Sequence, residues 1–233
     1  MTDSHRFCAS PIPPAKTAED LKRLKGKKAA FLRSTTWDVG SEVTIRFLEG
    51  DPSLRARVQA AAEEWTRLAN LTFDFRNSGP TDIRIAFAQG KGSWSYIGKQ
   101  CRDIAEPNPT MNFGWLTPES TEDEIRSVVM HEFGHAIGMI HEHQNPKGGG
   151  INWNRPAVIA DLSGPPNNWD EATIDENMFK KYDEDTLDAT AVDALSIMMY
   201  PIPLSWTNDG TSAGFNSRLS QTDEEFVASE YPR

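Results

Sequence analysis

Four of the five histidines fall within residues 128–143, which read VVMHEFGHAIGMIHEH. On a helix, residues four apart share a face, so His131 and His135 project side by side toward a single metal ion, with Glu132 one position round. A helix alone cannot bring a third ligand to near-tetrahedral geometry, so the chain must turn back soon after His135. Gly138 permits that turn, because glycine takes positive φ without strain, and His141 can then swing in as the third nitrogen ligand. Three neutral histidines with the fourth position open to water describe a catalytic zinc site, in which one zinc ion lowers the pKa of its water toward ~7 and Glu132 takes the proton. A lone HExxH is often only a surface helix. Gly138 and His141 at fixed spacing favour the metal site.

HExxHxxGxxH followed by a methionine turn resembles the metzincin zinc peptidases, and Glu142 directly after His141 resembles their astacin branch. Residues 196–200, SIMMY, are similar to the astacin SxMxY turn. The resemblance implies that Met198 lies under the zinc. It also implies that Tyr200 ligates the ion at rest, then swings away to hydrogen-bond the oxyanion. Residues 92–98, GSWSYIG, resemble the astacin GCWSYVG segment. That likeness implies an edge strand above the cleft that pairs with substrate backbone, with Ser93, Trp94, Ser95 and Tyr96 as contacts. Simple packing is an equal reading of Trp94 and Tyr96. Ser93 stands where astacins carry a disulfide cysteine, and with 2 cysteines the usual pair of astacin disulfides cannot form, as expected of a bacterial or fungal type. The counterpart of Glu142 in mature astacins bonds the new N-terminus after activation; the long arm of this chain leaves that role open.

The elements that must position these residues are legible upstream. Val43, Ile45 and Phe47 alternate with polar residues, the period of a half-buried strand. Asp51 and Pro52 then start a helix whose apolar positions run Leu54, Val58, Ala61, Trp65, Leu68. Residues 71–75, 83–87 and 110–116 read as further strands, and Thr121 with Glu124 forms a capping box for the zinc helix. After His141, Asn154 opens a short helix through Leu162, residues 174–182 give another, and LSQTD (219–223) caps a C-terminal helix. Asp193, three residues before the turn, orients Ser196 or a backbone amide, or is simply solvated. The expected fold is α+β and zincin-like: a twisted, mostly parallel sheet with an antiparallel edge strand and two long helices over an active-site cleft, then an irregular lower subdomain with a C-terminal helix. Residues 36–233 would form the catalytic domain, divided at about 141/142.

Residues 1–35 read differently, as a proline-containing extended arm followed by a short basic helix, with no apolar region of a secretory signal. Three readings of Cys8 stand open. Its thiolate caps the zinc and holds a zymogen latent, as the matrix metalloproteinase cysteine switch does; it pairs with Cys101; or it is an idle thiol. Astacin prosegments typically use an aspartate instead. Family resemblance favours secretion, yet no signal peptide is present. A net charge of -10 argues against nucleic acid, and no apolar run approaches the ~20 residues of a membrane span. The expected function is a monomeric zinc endopeptidase acting on protein or peptide substrates. The alternative is a silent, zinc-containing peptide-binding module, against which Glu132 argues, since a silent site needs no base.

Overall fold

The computed structural model describes residues 7–8, 11, 35–145, 150–181 and 192–233. The expected basic helix of the arm and Tyr182 lie outside the described residues. Alternation places Val43 and Ile45 of β1 (Glu42–Phe47) in the core. Asp51 caps α1 (Pro52–Ala62), accepting from the amides of Ser53 at 2.8 Å and Leu54 at 3.4 Å. The expected helix through Leu68 is interrupted. At Glu63 and Glu64 the bonding shortens to i+3, with Glu64 N to Ala61 O and Thr66 N to Glu63 O both 3.2 Å, before α2 (Trp65–Leu68) resumes. Apolar spacing does not register that change of ring size. The tightened turn presents Trp65, fully buried, to the zinc helix, where its indole N–H donates to Met130 O at 3.1 Å.

Strands β2 (Thr72–Phe75), β3 (Ile83–Ala86), β4 (Ser93–Ser95) and β5 (Met111–Phe113) complete a sheet in the order β2-β1-β3-β5-β4. All pairings are parallel except β4 with β5, which makes β4 the antiparallel edge. Against the sheet lies α3 (Glu122–Ala136), started by the expected capping box: Thr121 and Glu124 each bond the other's backbone amide. Helix α1 packs along α3.

The far end of α3 carries the site, and its orphan carbonyls are satisfied from distant parts of the chain. Trp37 Nε1–H donates to Ala136 O at 2.8 Å, and Tyr231 O–H to Ile137 O at 2.5 Å. Tyr231 follows the C-terminal helix α6 (Gln221–Glu230), which Ser220 and Asp223 cap. The region after His141 is irregular, as expected. It holds α4 (Arg155–Ser163) and α5 (Glu171–Ile174), the latter running into a π-helical turn (Asp175–Phe179) that ends before Lys180. Asn154 begins α4 without a side-chain cap, its amide donating instead to Ser205 O at 3.1 Å. Buried side chains form two clusters. One lies between sheet and helices and includes Met198, Val227 and Tyr231; the other gathers Val158, Leu162, Ile174, Tyr200 and Trp206. No described helix is long and apolar enough to cross a membrane.

Tyr231→Phe keeps the ring but removes the donor to the buried Ile137 carbonyl. Urea unfolding is expected to show a loss of about 1–3 kcal/mol; an unchanged midpoint would mean the end of α3 is held by other contacts.

Candidate metal centre

Helix α3 places His131 and His135 one turn apart with ring centroids 4.9 Å from each other. The chain then reverses at Gly138, whose φ is +113°, a conformation side chains disfavour. Gly138 N bonds His135 O at 2.8 Å and Met139 N bonds Gly134 O at 2.9 Å, closing the helix with one three-residue and one five-residue step. The turn brings His141 Nε2 to 3.1 Å from His135 Nε2. Outward nitrogens fix the tautomers. His131 Nδ1 lies 2.8 Å from Ile197 O and His135 Nδ1 lies 2.8 Å from Met139 O. A carbonyl only accepts, so each Nδ1 carries the proton and each Nε2 lone pair faces inward.

Burial pushes the imidazoles of His131 and His135 down, to about 4 and about 3, and His141 well below its usual range. Each shift favours the neutral imidazole, the form that could bind a metal ion. A sulfur completes the group: Cys8 Sγ is 3.1, 3.6 and 2.9 Å from Nε2 of His131, His135 and His141. The four donor atoms lie within 4.8 Å of one another. Zinc bonded to nitrogen at ~2.0–2.1 Å and sulfur at ~2.3 Å has ligand-to-ligand edges of roughly 3.3–3.6 Å, so the set fits one zinc ion. Burial and the neighbouring Glu132 charge push the Cys8 thiol well up; a bound cation reverses that preference and takes the thiolate. Both cysteines are free, and Cys101 is buried, its thiol pushed up to about 12 chiefly by burial. The pairing of Cys8 with Cys101 is thereby set aside.

Glu132 is 1% exposed, and its Oε2 has no hydrogen-bond partner among the described residues. Burial pushes its carboxyl well above the usual range. Tyr200 O–H lies 3.7 Å from Cys8 Sγ and donates to the Cys8 backbone carbonyl. Its hydrogen is thus committed to a peptide oxygen beside the ligand group. Met198 is fully buried beneath the helix. A Cβ on Gly134 would lie 2.4 Å from Met198 Sδ, so the helix approaches the methionine turn closely only because residue 134 has no side chain.

Glu142 turns away from the histidines. Its Oε1 accepts from Asp193 N at 3.1 Å and Asn145 Nδ2 at 3.3 Å, and burial pushes its carboxyl up to about 7. Asp193 itself accepts from Leu195 N at 2.8 Å. His143 Nε2 lies 2.8 Å from Asn177 O, outside the ligand group. On β4, Ser93 and Ser95 are buried, leaving Trp94 and Tyr96 half exposed in edge-to-face contact at 5.9 Å. The strand's backbone, rather than its serine hydroxyls, is what that edge offers.

Two residues escaped the sequence reading. Gly134 had a signal, since an isolated glycine inside a helical run marks a close approach. Asp223 was seen only as part of a cap. It also accepts from Ser196 Oγ at 2.7 Å and Ile197 N at 2.8 Å, while Ser196 Oγ in turn accepts from Met198 N at 3.0 Å. Asp223 thus holds both sides of Ile197, the preceding peptide directly through Ile197 N and the following one through Ser196 Oγ and Met198 N, and Ile197 O is the carbonyl that accepts from His131 Nδ1.

A mixed five-stranded sheet over a two-histidine helix, a glycine turn supplying a third histidine and a methionine turn beneath define a zincin domain of the metzincin class. The chain belongs to the astacin family: residues 31–222 match the profile of the Astacin peptidase family. The solved structure of myroilysin is 44% identical, with a TM-score of 0.84 over 87% of this chain and 98% of that one. A zinc metalloproteinase of Brugia malayi, dpy-31, is 31% identical over 124 residues, 51% of this chain and 19% of that protein. The hatching enzyme HCE-1 of the medaka Oryzias latipes is 17% identical, with a TM-score of 0.57 over 85% of this chain and 94% of that one, a likeness of fold. The chain spans 15% to 20% of the length of the curated metalloproteinases it matches.

Gly134→Ala should push Met198 and the helix apart, with a stability loss of about 1–3 kcal/mol. Asp223→Ala should weaken zinc retention by roughly 10–100-fold in competition with a chelator. Retention equal to that of the unaltered chain would show that the Ile197 peptide holds its place unaided.

Proposed function

We propose that the chain is a zinc endopeptidase hydrolysing protein or peptide substrates, held latent by Cys8. The observation that carries this reading is the thiol at the fourth corner of a three-histidine group, beside a buried glutamate with a free oxygen. His131, His135 and His141 hold the zinc, which when bound supplies a Lewis acid and activates water at neutral pH. Glu132 lies next to the corner that Cys8 Sγ fills. The positive charge of a bound zinc would favour the ionised form of the Glu132 carboxyl, which would accept the proton of the attacking water and return it to the leaving amine. Tyr200 already donates to a peptide carbonyl, that of Cys8. The same phenol donates to the substrate oxygen as negative charge develops there. Met198 supports the histidines from below.

The edge of β4 adds a substrate strand through backbone bonds, with Trp94 and Tyr96 bordering it and Ser93 and Ser95 buried on its inner face. Residues 1–35 act as an inhibitory prosegment and residues 36–233 as the catalytic domain. A single thiolate occupies the position that catalysis needs, so removing it opens the site without disturbing the other ligands.

The test compares the full chain, Cys8→Ala and Cys8→Ala/Glu132→Ala on an unfolded protein substrate, each with one zinc per molecule. Cys8→Ala is expected to cleave at least about 10-fold faster than the full chain, and the added Glu132→Ala to lower that by ~10²–10⁴-fold. A zinc-loaded Cys8→Ala chain that cleaves nothing overturns the peptidase. Equal rates with and without Cys8 overturn latency alone.

A further inference from the structure

The thiol is not the arm's only anchor. Phe7, one residue before it, is 4% exposed and closed in by aromatic rings. It stacks on Trp206 at 5.0 Å and 28°, meets Tyr200 edge-on at 5.2 Å, and meets Trp169 edge-on at 6.5 Å. Its backbone N–H is 3.4 Å from Asn167 Oδ1. The stacked wall is itself fixed. Trp206 Nε1–H donates to Asp161 Oδ2 at 2.6 Å, and Val158 and Leu162 of α4 are fully buried in the same cluster.

We propose that this aromatic box is a substrate subsite of the cleft, taking an aromatic or large apolar side chain, and that Phe7 occupies it as the arm's imitation of substrate. The inference rests on the peptidase reading given above. Three features carry it. The box shares Tyr200 with the metal group, and Phe7 is adjacent in sequence to the residue at the fourth corner, so a chain lying across the metal reaches the box within one residue. Its walls are flat, rigid aromatic faces with a single amide acceptor at the rim, the composition of a side-chain pocket with a backbone contact beside it. Trp169, only half buried, is the most exposed of the three walls, so the box opens toward solvent on that side. Phe7 lies against the rings of Tyr200, which also packs against His141, and of Trp206, an apolar surface that a substrate side chain would cover in its place.

The test uses full-length Phe7→Ala/Cys8→Ala, in which neither anchor holds the arm, and reads tryptophan fluorescence on titration with acetyl-Gly-Phe-Gly-amide and acetyl-Gly-Ala-Gly-amide. The phenylalanine peptide is expected to bind at least about 10-fold tighter, the affinity ratio that a well-enclosed side chain confers. Adding Trp169→Ala should remove most of that difference, and Cys8→Ala alone, in which Phe7 still competes for the box, should show a smaller difference between the two peptides. Equal affinities in the double variant, or discrimination untouched by Trp169→Ala, overturn the subsite. So does loss of the fold in the double variant when Cys8→Ala remains folded, since Phe7 is then a fixed part of the core. Binding needs no turnover: a chain that discriminates but cleaves nothing keeps the subsite and sinks the peptidase, and one that cleaves without discriminating does the reverse.

Discussion

The structure depends on one electrostatic constraint. Three imidazole Nε2 atoms and a buried sulfur gather within 4.8 Å of one another. Polar atoms gathered in this way are costly in an apolar interior unless something positive sits between them. A zinc ion resolves the conflict, and it makes the unfavourable features consistent. Depressed imidazole pKa values keep the nitrogens free to bind a cation, beside which the thiol that burial holds protonated could ionise.

Most of the surrounding architecture maintains that convergence. Helix α3 ends where Trp37 and Tyr231, from opposite ends of the described domain, satisfy its last carbonyls, so the position of the site is tied to both the first and last elements. The methionine turn is a boundary between the two apolar clusters: Met198 packs in the upper one, Met199 and Tyr200 in the lower. Asp223 clasps that turn from the head of α6. A carboxylate late in the sequence thus reaches His131 through one residue, Ile197.

The ligand set was readable because helical period and one glycine determine it locally; no long-range information is needed to see that His131, His135 and His141 converge. The sheet was readable for a similar reason, its strands carrying strong alternation or apolar runs. What escaped depends on partners distant in sequence. The break at Glu63 leaves apolar spacing intact and shows only in hydrogen bonds. Asp223 looked like an ordinary cap because its second set of acceptor bonds reaches residues 196 and 197. Cys8 stood open among three readings, since a lone thiol on an arm has no local pattern to say where it goes.

In the proposed latent form the arm would join a bond at the metal to an apolar contact in the neighbouring box, a way to block a cleft with few residues. Everything in that arrangement turns on the sulfur. Zinc K-edge X-ray absorption on the full chain tests it most directly, because sulfur and nitrogen scatter distinguishably at different distances. The account predicts three nitrogen ligands at ~2.0–2.1 Å and one sulfur at ~2.3 Å, with the sulfur lost in Cys8→Ala. Four light-atom ligands and no sulfur in the unaltered chain would contradict it.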